Sequence, residues 1–244
     1  MSHAIRRHYE ETSARLQAEA AGSGGVPPAR PVAGDNRTPV AALLASHQFE
    51  LKQTKSLQRK LAYKGKVLPE YAAYVSGVLA ANQPVPDPVV LQIFIWRIDT
   101  GDFAGALEIA RWAMAHGIAL PDGIGFKRTL PEVLIEEMAE IALGGITAGA
   151  ADPDLIAPLE EALALVADVD MADEIRAKAH KAAGRLRADT DPARALAHLE
   201  QANTLNPSCG VKGDIKALQK ALATPPPDNP EPETGEDPPA DPGA

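Results

Sequence analysis

The chain has 244 residues, enough for one large domain or two small ones, and 45% hydrophobic with 23% charged residues allows a buried core. Only ten residues are aromatic and alanine is abundant, which favours helices packed through small side chains over a β-sandwich. The single cysteine, Cys209, excludes an intramolecular disulfide framework and a cysteine-rich zinc module, and no apolar run approaches the ~20 residues of a membrane span.

The first residues, MSHAIRRHYEETSARLQAEA, are charged throughout and lack the apolar stretch of a secretory signal, so a reduced, intracellular setting is expected. The formal charge of −9 is unevenly spread. Residues 1–70 carry 11 Lys/Arg against 6 Asp/Glu, residues 71–221 carry 13 against 21, and residues 222–244 carry 6 acids and no base. A globally acidic protein with one locally basic segment can still meet a polyanion there.

In chain order, 1–37 is a polar segment followed by a flexible Gly/Pro linker, GSGGVPPARPVAGDNR. Residues 38–150 read as a helical core and 151–222 as C-terminal helical hairpins. Residues 223–244 hold eight prolines and six acids and are expected to be a disordered acidic tail. Thr38-Pro39 opens a long helix to about Lys64, which Gly65 ends. Further helices are predicted at 70–82, 88–99, 103–116, 130–148, 153–167, 172–188, 192–205 and 210–222. Asp87, Asp102, Asp152 and Asp191 serve as caps, and Pro158 kinks the first turns of its helix. No alternating strand of useful length is present, so the class is all-α, a bundle of antiparallel helical hairpins. Segments 101–121 and 190–207 share an acidic cap, a spaced Ala-Leu pattern and a closing proline. That is partly tetratricopeptide-like, although alanine-rich hairpins resemble one another without being repeats.

The candidate site begins with KQTKSLQRKLAYKGK. On one continuous helix, with Lys52 at zero, Lys55, Arg59 and Lys66 fall at about −60°, −20° and −40°. Val40, Leu43, Leu44, Leu51, Leu57 and Leu61 gather on the other side, and Lys60 and Lys64 flank the stripe. Such a stripe suits phosphate backbones; the competing reading is a solvated helix face. A second basic patch is Lys178, Lys181 and Arg185, with Arg176 and Arg187 beside it. An intrahelical Glu174–Lys178 pair makes the solvated face the weightier reading there. Asp99, Asp102 and Glu108 are the weak catalytic candidates, since a Mg²⁺ nuclease needs converging carboxylates. Capping outweighs that role for Asp102, and Glu136, Glu137 and Glu140 read as a solvated face. No metal site is expected among the scattered histidines; His180 and His198 can meet only across a hairpin. GSGG follows no strand and no phosphate loop is present, so ATP hydrolysis is not expected.

The run WRIDTGDFAGALEIARWAMAHGI resembles the small terminase subunit of temperate tailed phages, the M-protein type. So do LPEYAAYVSGVL, ADVDMADEIRAKAHKAAG and ARALAHLEQANTLN, in the same order and spacing, and the likeness covers about residues 38–222. It implies a protein of the bacterial cytoplasm that recognises the cohesive-end site of double-stranded phage DNA. Its implied partners are a large ATPase subunit and further copies of itself in a ring. The family is commonly labelled an endonuclease subunit. Because the residues assemble no convincing metal site, site selection is placed on this chain and cutting on the large subunit, with no cofactor. The alternatives are a Mg²⁺-dependent endonuclease in its own right and a helical-repeat adaptor that binds protein. Family members end in a Lys/Arg-rich tail and this chain in an acidic one, which throws DNA affinity onto the 52–66 stripe.

Overall fold

The computed structural model describes residues 38–121 and 128–223. Among them the chain is all-α. Its helices are α1 (Thr38–Gln53), α2 (Leu57–Val67), α3 (Ala72–Ala81), α4 (Pro88–Thr100), α5 (Phe103–Ala115), α6 (Leu130–Thr147), α7 (Ile156–Leu165), α8 (Asp173–Arg187), α9 (Pro192–Leu205) and α10 (Lys212–Ala223). Single 3₁₀ turns at Leu68–Tyr71 and Pro153–Leu155 lead into α3 and α7. The expected linker over 1–37, residues 122–127 of the Gly-rich loop and the acidic tail from 224 lie outside the described residues.

The caps follow the chemistry of the chain. Asp87 accepts from the amides of Val89 and Val90 at 2.9 and 3.1 Å, and Pro88 takes the first helical position, where its missing N–H costs nothing. The Tyr74 hydroxyl donates to the other Asp87 oxygen at 2.6 Å. Asp102 accepts from Gly105 and Asp191 from Arg194, each at 3.1 Å, and Glu132 accepts from the Thr129 amide at 2.7 Å. Pro158 lies in the first turn of α7, and the first residues of the helix predicted from 153 form the 3₁₀ turn Pro153–Leu155 instead.

One expected element is corrected. The helix predicted from 38 to about 64 is two helices, broken at Thr54–Ser56. The Thr54 hydroxyl bonds back to the Glu50 carbonyl at 3.1 Å, and Ser56 restarts the chain by accepting from the Arg59 amide at 3.3 Å. The Thr54 amide also donates to the Glu50 carbonyl at 3.1 Å, so the ladder runs through Thr54 and the next helix starts at its Ser56 cap. Gly65 does not end α2, which continues to Val67.

The core is one continuous apolar cluster running from Leu44 to Ala183, with the α4 segment VVLQIFIW almost wholly inside it. It crosses residue 150, since Leu159, Ala162 and Val166 of the α7 region join it. A smaller cluster of Leu199, Ala202 and Val211 lies beneath α10. Helices α8 and α9 approach closely at Gly184, where a Cβ would stand 2.7 Å from Leu199 Cγ and 3.0 Å from the Ala195 carbonyl oxygen. Gly184→Val should therefore destabilise the fold by about 1–3 kcal/mol through overpacking. Gly213→Ala in α10, with open space around it, should gain up to about 1 kcal/mol of helix propensity. Urea unfolding of the two variants distinguishes these signs.

Candidate nucleic-acid interface

The break at Thr54–Ser56 resets the helical phase, so the six bases do not form one stripe. Lys52 is in the last turn of α1, Lys55 lies in the break, and both are exposed. On α2, Arg59 and Lys66 are seven residues apart, within about 20° of each other, and both face solvent. Lys60 is half-buried, and burial together with the charge of Lys64 lowers its pKa. Phe49, 59% exposed, lies on the same stretch, as do the exposed acids Glu50 and Glu70.

Lys64 is not a surface base. Its side chain is 1% exposed and its ammonium donates to Asp99 of α4, itself 8% exposed. The reason is visible on the α2 wheel: Lys64 falls about 20° from Leu57, inside the apolar arc. The pair withdraws Lys64 from the phosphate-contacting set and Asp99 from the catalytic one. Beside it, His47 of α1 shares a 2.8 Å hydrogen bond with the Tyr71 hydroxyl, and the Tyr71 ring meets Trp96 edge-on at 6.0 Å. Burial, then the charges of Glu70 and Tyr63, push the Tyr71 phenol up to about 12. The ion pair and this aromatic ladder dock α1 and α2 onto α4.

The second basic patch is a set of struts. Lys178 donates to Glu136 at 2.5 Å and Glu140 at 2.9 Å on α6, rather than pairing with Glu174. Lys181 donates to the Cys209 carbonyl at 2.7 Å, and Arg185 pairs with Asp214 at 2.8 Å. Arg176 donates to the carbonyls of Val166, Ala167 and Val169, and Arg187 to Glu160. Hydrogen bonds from Arg187 hold the Glu160 carboxyl below the usual carboxylate range. His180 and His198 do meet across the α8–α9 hairpin, Nδ1 to Nδ1 at 3.0 Å. Burial, then the charges of His198 and Arg176, lower the His180 pKa to about 4.

The acidic candidates diverge. Asp102 and Glu108 flank Arg97 at 3.6 and 3.9 Å, while Asp99 is held by Lys64. Among the described residues no three His, Cys, Asp or Glu side chains converge as metal ligands. The α6 acids are not a solvated face: Glu136 is 6% and Glu137 2% exposed. Arg128 reaches Glu136 at 2.5 Å, but neither Glu137 oxygen has a hydrogen-bond partner. Burial, then the charges of Glu140, Asp99 and Glu136 against the pull of Arg128, push the Glu137 carboxyl up to about 8. It is a buried acid, raised well above the usual carboxylate range, within a charged network. Sequence reasoning missed it because consecutive glutamates read as polar surface. The usable signal was the apolar residues around them, Val133, Leu134, Ile135, Met138 and Ala139.

The family model for the phage small terminase subunit matches residues 41–174. The chain belongs to the phage small terminase subunit family. It is 41% identical over 180 residues to the "Terminase, endonuclease subunit" of Escherichia phage P2, covering 73% of this chain and 71% of that protein. No solved structure matches it. The family match runs from the first turn of α1 to the start of α8, so it contains the exposed bases, the Lys64–Asp99 pair and the buried acids of α6.

In this terminase subunit, Lys64→Ala strands a buried carboxylate and should destabilise the fold by about 3–5 kcal/mol, whereas Lys64→Met with Asp99→Leu should recover most of that loss. Chemical denaturation of the single and double variants measures the coupling. The raised Glu137 pKa makes its stability contribution complete below about pH 4.5 and lost as pH rises through about 8. Glu137→Gln should accordingly flatten the decline in unfolding free energy over that window and be the more stable protein above pH 8.

Proposed function

We propose that the chain binds double-stranded phage DNA at the cohesive-end site and, with a large terminase ATPase subunit, starts cleavage and packaging of that DNA in the host cytoplasm. The observation that supports this reading most directly is the exposure of Lys52, Lys55, Arg59 and Lys66 around the α1–α2 junction, within the span matched by the family model. Lys60 lends its charge from the edge of the group. Four cations on a short exposed segment meet phosphates by charge, and each phosphate they neutralise releases counterions. Base recognition then needs groups beyond these, because phosphate contacts position a protein without reading sequence. Self-association would set several copies of this surface along one duplex.

Cutting belongs to the large subunit in this reading. The name of the P2 relative favours a second one, an endonuclease in its own right. Mg²⁺ and a cohesive-end duplex given to the purified chain alone test it. Nicking that disappears in Asp102→Asn, Glu108→Gln would move the chemistry here.

For the DNA-binding reading, alanine at Lys52, Lys55 and Arg59 should weaken binding to any duplex. It should flatten the dependence of log affinity on log salt by roughly one unit per lost phosphate contact. Fluorescence anisotropy across a salt series reads both. An unchanged affinity and slope would remove the α1–α2 surface from the mechanism.

A further inference from the structure

We infer that the solvent face of α2 reads base edges in the major groove of duplex DNA, with Gln58 as the base-contacting side chain and Ala62 and Gly65 as the positions that let the helix come close. The inference rests on the DNA-binding reading above and supplies what phosphate contacts cannot, recognition of sequence.

Helix α2 is sharply divided around its axis. With Leu57 at zero, the exposed residues Gly65, Gln58, Ala62, Lys66 and Arg59 fall at about 80°, 100°, 140°, 180° and 200°. They form one unbroken arc of about 120° with Ala62 at its middle. The buried Lys64 and Val67 fall at about 340° and 280°, on the side that packs against α1, α4 and the 3₁₀ turn before α3. The Lys64–Asp99 pair holds that rotation. No acid lies on the outward arc. The charges of Glu50 and Glu70 are felt outside it, at Tyr63, where burial first and then these two acids raise the phenol pKa. Among the described residues, the side chains of Gln58, Arg59 and Lys66 have no ion-pair or hydrogen-bond partner.

The composition of the arc carries the argument. An α-helix about 10 Å across enters a major groove about 12 Å wide only if the side chains facing the floor are short. Ala62 is short, and Gly65 has open space where a Cβ would stand. Gln58 is an uncharged amide within a cationic arc, so it adds little against phosphates. It matches an adenine edge instead: its carbonyl oxygen accepts from the N6 amino group and its NH₂ donates to N7, a pair that the major groove presents. Lys66 and Arg59, at the far edge of the arc, reach the phosphates of one groove wall. A protein partner would be met by a large apolar anchor, and this arc holds none.

The test uses the full chain as wild type, Gln58→Ala and Ala62→Leu, with urea midpoints confirming that these exposed substitutions leave the fold intact. Fluorescence anisotropy follows binding to a cohesive-end duplex, to the same duplex with 7-deazaadenine replacing adenine, and to an unrelated duplex of equal length. The wild type should prefer the cohesive-end duplex. Gln58→Ala should lose on the order of tenfold affinity for it and keep its affinity for the unrelated duplex. Its salt dependence should stay that of the wild type, because no phosphate contact is lost. Removing the N7 acceptor should cost the wild type about as much and cost Gln58→Ala little more. Ala62→Leu should still bind both ordinary duplexes but lose the preference between them. A loss shared equally by both duplexes, a full further loss of Gln58→Ala on 7-deazaadenine, or wild-type preference in both variants overturns the inference and leaves the DNA-binding reading standing. Failure of the wild type to bind either ordinary duplex overturns both.

Discussion

The buried contact between Lys64 and Asp99 decides what the basic segment can present. Taking two ions out of water costs several kcal/mol each, so such a pair persists only where each charge meets its partner directly. Here it joins α2 to α4 and fixes the rotation of α2 about its own axis. With Lys64 and Val67 turned inward, Arg59 and Lys66 are left outside that inward arc, in water. A lysine that looks like part of the cationic surface is the strut that aims it. The same zone extends into α6 and α8. With Glu137 protonated, the cations Lys64, Arg128 and Lys178 are matched by Asp99, Glu136 and Glu140. Burial first, and then the neighbouring carboxylates Glu140, Asp99 and Glu136, raise the Glu137 pKa within this zone.

The stretch WRIDTGDFAGALEIAR, which most clearly resembles known terminase subunits, is a corner of the scaffold. Trp96 is buried and holds the Tyr71 ring edge-on. Gly101 takes φ +81°, a left-handed turn that an L side chain rarely adopts, and Asp102 caps the helix that follows. Gly105 leaves room for the Arg97 guanidinium, which lies over the first turn of α5 between Asp102 and Glu108; a Cβ at Gly105 would occupy the guanidinium's place. Each polar residue of the motif therefore has a structural task. The carboxylates that suggested a metal site are a strut, a cap and a flank.

Much of the fold was legible because its punctuation is chemical. Asp-Pro and Asp-x caps, Gly101 and the apolar run of α4 placed most helix boundaries within a residue or two. The break at Thr54–Ser56 was missed because the apolar pattern continues across it, while Ser56 caps a new helix there. Charges were harder to place than apolar residues. A Lys or Glu on the apolar side of a wheel contradicts polarity alone, and only its partner, 35 residues away for Lys64 and 42 for the Glu136 that holds Lys178, explains it. The α8 bases read as a solvated face, yet Lys178, Lys181 and Arg185 are tied to α6, to the turn before α10 and to α10. Tertiary neighbours decide that difference, and helical periodicity does not contain them.

Lysine footprinting tests the central claim most directly: amine acetylation of the full chain, with and without a cohesive-end duplex, quantified residue by residue. The account predicts that Lys52, Lys55 and Lys66 react freely alone and are shielded by DNA, while Lys64 stays unreactive in both states. Equal labelling of Lys52, Lys55 and Lys66 with and without duplex, or ready labelling of Lys64 in the folded protein, would contradict it.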